Sequence, residues 1–194
     1  MSDLFYMLLA TALFQNLLLS TGFGSSIMLR VIRRPRDIVP LGALMCVFST
    51  TMVLCVYPID MLIGNGTTAK LLRPLVMVVI ASLLYIAVTL LTRRFLPGFY
   101  AHMQRLLSLA VFNNLTIGVT LIANHRVVLT LSGTIGLALG SCIGFMLLGA
   151  LTVVGRERMD HPDVPQAFRG LPLTLLYLGL TALALLGFGT GALV

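Results

Sequence analysis

The sequence predicts an all-α membrane protein of six transmembrane helices, built as two inverted three-helix repeats whose opening helices, the first and the fourth, are interrupted. Three observations carry that expectation. The chain is 58% hydrophobic and 10% charged, with a mean hydropathy of +1.03, whereas soluble domains carry roughly 25% charged residues. So few charges cannot cover a surface that faces water. Six long apolar runs contain no Asp, Glu, Lys or Arg at all. Two neighbouring carboxamides interrupt an apolar run once in each half, in Phe14-Gln15-Asn16-Leu17 and again 98 residues later in Phe112-Asn113-Asn114-Leu115.

The six runs are long enough to cross a hydrocarbon core of about 30 Å. They cover residues 4–28, 38–57, 74–92, 106–123, 127–154 and 171–193. The N-terminus opens Met-Ser-Asp with no basic segment and no small-residue cleavage pattern, so the first run is expected to be retained and not removed as a signal peptide. As one continuous helix, the uncharged stretch 4–29 would measure about 39 Å at 1.5 Å per residue. The run Ser20-Thr21-Gly22-Phe23-Gly24-Ser25-Ser26 is where it is expected to break or bend; a tilted unbroken helix is the alternative.

The basic residues orient the spans. Ten of the thirteen Lys and Arg follow the odd-numbered spans (Arg30, Arg33, Arg34, Arg36, Arg93, Arg94, Arg105, Arg156, Arg158 and Arg169), and only Lys70, Arg73 and Arg126 lie on the other side. Positive residues accumulate on the cytoplasmic side, so both termini are expected outside. The net charge of +7 is thereby accounted for by loops at a lipid surface, without nucleic acid. With three spans in each half, residues 1–98 and 99–194, the first span enters from outside and the fourth from the cytoplasm. The halves are therefore inverted. Inverted repeats often place a site near the midplane on interrupted helices. Gln15, Asn16, Asn113 and Asn114 are the candidates for such a polar site; the alternative is that these amides only bond neighbouring helices together.

Span five carries Gly136, Gly140 and Gly144 at four-residue spacing. Small residues in a row let helix backbones approach closely, either within the bundle or at a subunit interface. The polar segment after it holds Arg156, Arg158, Phe168 and Arg169 and is read as a cytoplasmic loop, either a docking surface for a soluble partner or simply solvated. Pro162 and Pro165 forbid a continuous helix there. Cys46, Cys55 and Cys142 sit in apolar runs with no CxxC or Cys/His spacing, so they read as small buried hydrophobes rather than disulfide or zinc ligands. His102, His125 and His161 are placed in loops.

The segments Arg156-Glu157-Arg158, Asp163-Val164-Pro165 and Phe168-Arg169-Gly170 resemble the A-type membrane subunit of the Rnf electron transport complex and its relative, the E-type subunit of the sodium-pumping NADH:quinone oxidoreductase. Asn16, Gly24, Cys55, Ile59-Asp60, Tyr100, Asn113 and Gly118 fall in register, so the likeness spans essentially the whole chain. The resemblance implies an inner-membrane protein paired with a homologous six-helix subunit of opposite topology, alongside flavin-bearing and ferredoxin-type subunits. It further implies a [2Fe-2S] cluster held by two cysteines from each partner, and electron flow coupled to Na⁺ or H⁺ movement. The positions of the family's two cysteines fall on Ser26 and Asn114, which offer a hydroxyl and an amide where clusters normally take thiolates. No catalytic residue is assigned. Two other readings remain open: an ion or solute transporter without redox chemistry, and a purely structural assembly subunit.

Overall fold

The computed structural model describes residues 2–14, 16–32, 34–63, 67–95, 97–125, 130–159 and 164–190, and among them there are helices and turns but no strand. Among the described residues, four helices are long and apolar enough to cross a membrane, over Pro35–Ile59, Leu71–Phe95, Met103–Ala123 and Leu131–Met159. Two shorter apolar helices cover Asp3–Leu13 and Leu171–Leu185.

The opening span is broken twice. Helix α1 (Ser2–Leu9) runs into a π-helical turn at Ala10–Phe14, and a short helix α2 (Leu17–Thr21) follows Asn16. The chain then turns through Gly22-Phe23-Gly24 into α3 (Ser25–Val31). The turn lies inside the glycine-rich stretch where the sequence expects a break. Its cause is local: Gly22 and Gly24 take φ of +73° and +83°, a region that costs glycine little and other residues much. The Gly22 N–H closes α2 on the Leu17 carbonyl.

Helix α4 (Ile38–Ile63) follows a 3₁₀ turn at Pro35–Asp37, and α5 (Thr67–Phe95) follows α4. Both exceed the spans read from hydropathy, and both run through a proline, Pro58 and Pro74. Membrane helices tolerate such prolines when neighbouring groups re-satisfy the freed backbone. The extension also places Arg73 within α5, where it is buried, and not in a loop. One side of α5 is apolar and uncovered, with Leu75, Leu83, Ile86 and Leu90 all exposed. That is the surface expected against lipid.

The fourth span consists of α6 (Pro97–Val111) and α7 (Asn114–His125), separated by Phe112-Asn113. His102 therefore lies within α6 and His125 ends α7, contrary to their placement in loops. Carbonyls orphaned by the break need partners; the Thr116 hydroxyl donates to the Ala110 carbonyl at 2.8 Å and supplies one.

Helix α8 (Leu131–Met159) is the centre of the bundle and packs against α1, α4, α7 and α9 (Leu171–Thr190). A Cβ at Gly136, Gly140 or Gly144 would meet backbone atoms of Leu4, Leu8 and Ala12 respectively. Both series advance together, so α1 and α8 run parallel. Against α4 the pairing reverses: Gly42 meets Met146 while Ile38 meets Gly149, so α4 and α8 are antiparallel. The core at these contacts contains Met28, Leu41, Met45, Met52, Leu137 and Phe145, each almost fully buried.

Candidate functional site

The two interruptions meet. The Phe23 ring lies over α7 at Gly118, where a Cβ would come within 2.3 Å of the ring. The Gly24 backbone lies on Leu115 and Phe145, with 3.2 Å from a would-be Cβ to Leu115 Cδ1. Glycine at 118 and 24 thus lets the turn of the first span seat itself on the first turns of α7.

Asn16 and Asn113 are buried on either side of this contact and do the same local work. Asn16 Oδ1 accepts the Leu18 N–H at 3.1 Å, and Asn113 Oδ1 accepts the Leu115 N–H at 3.2 Å. Each side chain caps the helix that restarts after the break, a role in which asparagine is strongly preferred. Their amide nitrogens differ: Asn16 Nδ2 donates to the Ala12 carbonyl at 3.4 Å, whereas Asn113 Nδ2 reaches Met45 Sδ at 3.7 Å. By role, Asn16 corresponds to Asn113. The motif alignment of the two halves instead pairs it with Asn114. Asn114 is exposed in the first turn of α7, and Gln15 lies outside the described residues.

Ser26 is exposed in the first turn of α3, two residues past Gly24, and Asn114 directly precedes Leu115. The Gly24–Leu115 contact therefore brings the segments carrying both positions together. Their chemistry does not suit an iron–sulfur cluster: a neutral amide is a poor iron ligand, and neither residue is a thiol. The described residues contain no group of three or more His, Cys, Asp or Glu arranged to hold a metal ion.

The thiols that do come together are elsewhere. Cys142 Sγ on α8 donates to Ser49 Oγ on α4 at 3.6 Å, and Cys46 lies one helical turn before Ser49 on the same side of α4. All three cysteines are free; Cys142 is fully buried and Cys46 half-buried. Nothing in the sequence signals this pairing, because 96 residues separate the two and only the antiparallel packing of α4 on α8 aligns them.

The remaining candidates lie at the arginine-rich end. Arg156 and Arg158 belong to the last turn of α8, which continues to Met159, so the loop read from sequence begins later than expected. Arg156 lines a cavity of about 270 Å³ with Leu29, Ile32 and Thr174. Phe168 is exposed at the end of a 3₁₀ turn, Gln166–Phe168, and Arg169 Nε donates to the Val164 carbonyl at 3.0 Å.

Apolar helices long enough to cross a membrane, with the break at Gly22–Gly24 seated on α7, define a multi-pass helical membrane protein. Residues 4–191 match the family described as Rnf-Nqr subunit, membrane protein, and the chain belongs to that family. Its relatives include proteins named as the A-type subunit of an ion-translocating oxidoreductase complex. The one from Histophilus somni is 25% identical over 188 residues, and the one from Pasteurella multocida 26% over 188 residues. The one from Rhodobacter capsulatus is 28% identical over 192 residues; in all three, 97% of each chain is covered.

Proposed function

We propose that this chain is a membrane-core subunit of an Rnf-like complex that couples electron transfer to Na⁺ or H⁺ translocation, seated against a homologous six-helix subunit of opposite topology. Ser26 and Asn114 occupy the former cluster positions, and the chain scaffolds that core without contributing thiolates to it. The observation that carries the reading is the contact of the Gly22–Gly24 turn with α7, which gathers the segments bearing Ser26 and Asn114 while leaving both side chains exposed for a neighbour. The near-complete match to proteins named for an ion-translocating oxidoreductase complex supports the same reading. Flavin-bearing and ferredoxin-type subunits are the further partners, in a bacterial inner membrane with both termini outside.

Gln15, Asn16, Asn113 and Asn114 are proposed to form the polar band of this interface. A stand-alone carrier finds less support, because the Asn16 and Asn113 oxygens are turned onto their own backbones. The test is to tag the chain in its native membrane, solubilise it mildly and identify what co-purifies. A homologous membrane subunit together with flavin-bearing subunits is expected. A chain that elutes alone, yet carries cations into liposomes by itself, would overturn the proposal.

A further inference from the structure

A crevice of about 840 Å³ opens between the start of α4, α5 and α6. Arg34, Arg36 and Arg105 line it with a single carboxylate, Asp37, and with Tyr85 and Ser108. The three arginines are exposed, and among the described residues none is paired with a carboxylate. Arg34 and Arg36 flank Pro35, whose fixed φ opens the 3₁₀ turn, and Arg105 lines the same crevice from α6. Guanidinium groups present planar forks that match phosphate oxygens in pairs.

We propose that this crevice binds the phosphate headgroup of an anionic phospholipid. Depth and surroundings select a lipid over a small soluble anion. Tyr85 lies ten residues before Phe95 at the arginine-rich end of α5, about 15 Å along the helix at 1.5 Å per residue. The cavity thus runs from headgroup level well into the acyl region. Val39 on α4 and Ile86 and Leu90 on α5 are exposed apolar side chains of the same two helices, available to the acyl chains. Basic pockets between transmembrane helices attract anionic headgroups, whose charge they neutralise in a setting where water screens poorly. Tyr85 and Ser108 add hydroxyl groups to the same lining, polar partners for the glycerol ester oxygens. This site is independent of the redox reading and stands whether or not that reading does.

The test uses the full chain in detergent, with phosphatidylglycerol or phosphatidylcholine added and retained lipid counted by native mass spectrometry. Wild-type protein is expected to retain phosphatidylglycerol preferentially. The combined Arg34→Gln, Arg36→Gln, Arg105→Gln variant is expected to lose roughly tenfold in retention, while Arg93→Gln with Arg94→Gln, exposed at the same end but outside the crevice, leaves it unchanged. Equal retention of the two lipids by wild type overturns the proposal, and that comparison needs no variant to fold. An equal loss in the Arg93/Arg94 variant overturns it as well. So does a thermal shift with inorganic phosphate alone, abolished in the triple variant and unaccompanied by lipid preference, which would assign the crevice to a free anion.

Discussion

The Phe23 ring and Gly118 occupy one another's van der Waals space so closely that residue 118 has no room for a methyl group: Cε2 of the ring would be 2.3 Å from it. This contact joins the break in the first span to the restarted half of the fourth. Gly118→Ala must push the ring aside, and overpacking of this kind costs about 1–3 kcal/mol. Thermal unfolding in detergent should show the loss, and Gly118→Ala combined with Phe23→Ala should show much less than the sum. Additive losses would mean that the two residues do not touch.

Gly140 sits against backbone, with a would-be Cβ 2.5 Å from the Leu8 carbonyl oxygen, as Gly136 does at 2.4 Å from that of Leu4. Backbone cannot swing away as a side chain can. Gly140→Leu is therefore expected to detach α1 and expose the π-helical turn, read as accelerated hydrogen exchange over residues 4–12. Gly179 on α9 has no atom within 4 Å of a would-be Cβ and serves as the contrast. Gly179→Ala should stabilise by about 0.5–1 kcal/mol, because alanine loses less backbone entropy in a helix.

Asn113 and Asn16 should behave as helix caps before anything else. Asn113→Leu removes the acceptor for the Leu115 N–H and is expected to cost about 0.5–2 kcal/mol, whereas Asn113→Ser keeps an acceptor and most of the stability. The same series at Asn16 should run in parallel. A serine variant that unfolds as readily as the leucine variant would rule out capping as the main role.

Cys46 and Cys142 should be joined by a short bis-thiol reagent in the native protein. With dibromobimane, fluorescence is expected in wild type and Cys55→Ser, and lost in Cys46→Ser and Cys142→Ser. Fluorescence that persists without Cys142 would show that α4 and α8 are not registered as described. The Ser49 hydroxyl beside the pair allows Ser49→Ala as a control that leaves both thiols in place.

The parallel run of α1 and α8 fixes a relation between distant points of the chain. In a cysteine-free background, Ser2→Cys and Thr130→Cys should both react with an impermeant maleimide from the same side of the membrane. Labelling from opposite sides would break the topology.

The particular residues show where sequence reading reached and where it stopped. The uncharged runs mark membrane helices because lipid tolerates no unpaired charge, and that constraint is written residue by residue. The break at Gly22–Gly24 was equally legible, since glycine is the one residue that takes a positive φ cheaply. Helix ends were misplaced at Pro58, Pro74 and Arg156, because hydropathy registers where lipid ends while hydrogen bonding carries the helix further. The correspondence of Asn16 with Asn113 follows from the N–H that each caps, which a motif alignment cannot see.

What the amino-acid sequence determined by itself is a polytopic, basic-ended helical chain of the Rnf-Nqr family, since composition, charge and side-chain identity are local properties. Which surfaces meet was decided only by the tertiary structure: Phe23 on Gly118, Leu8 on Gly140, Cys46 beside Cys142, and three arginines around one crevice. Each of these joins residues from different helices. Their proximity depends on crossing geometry and register, and these exist only once the helices have packed.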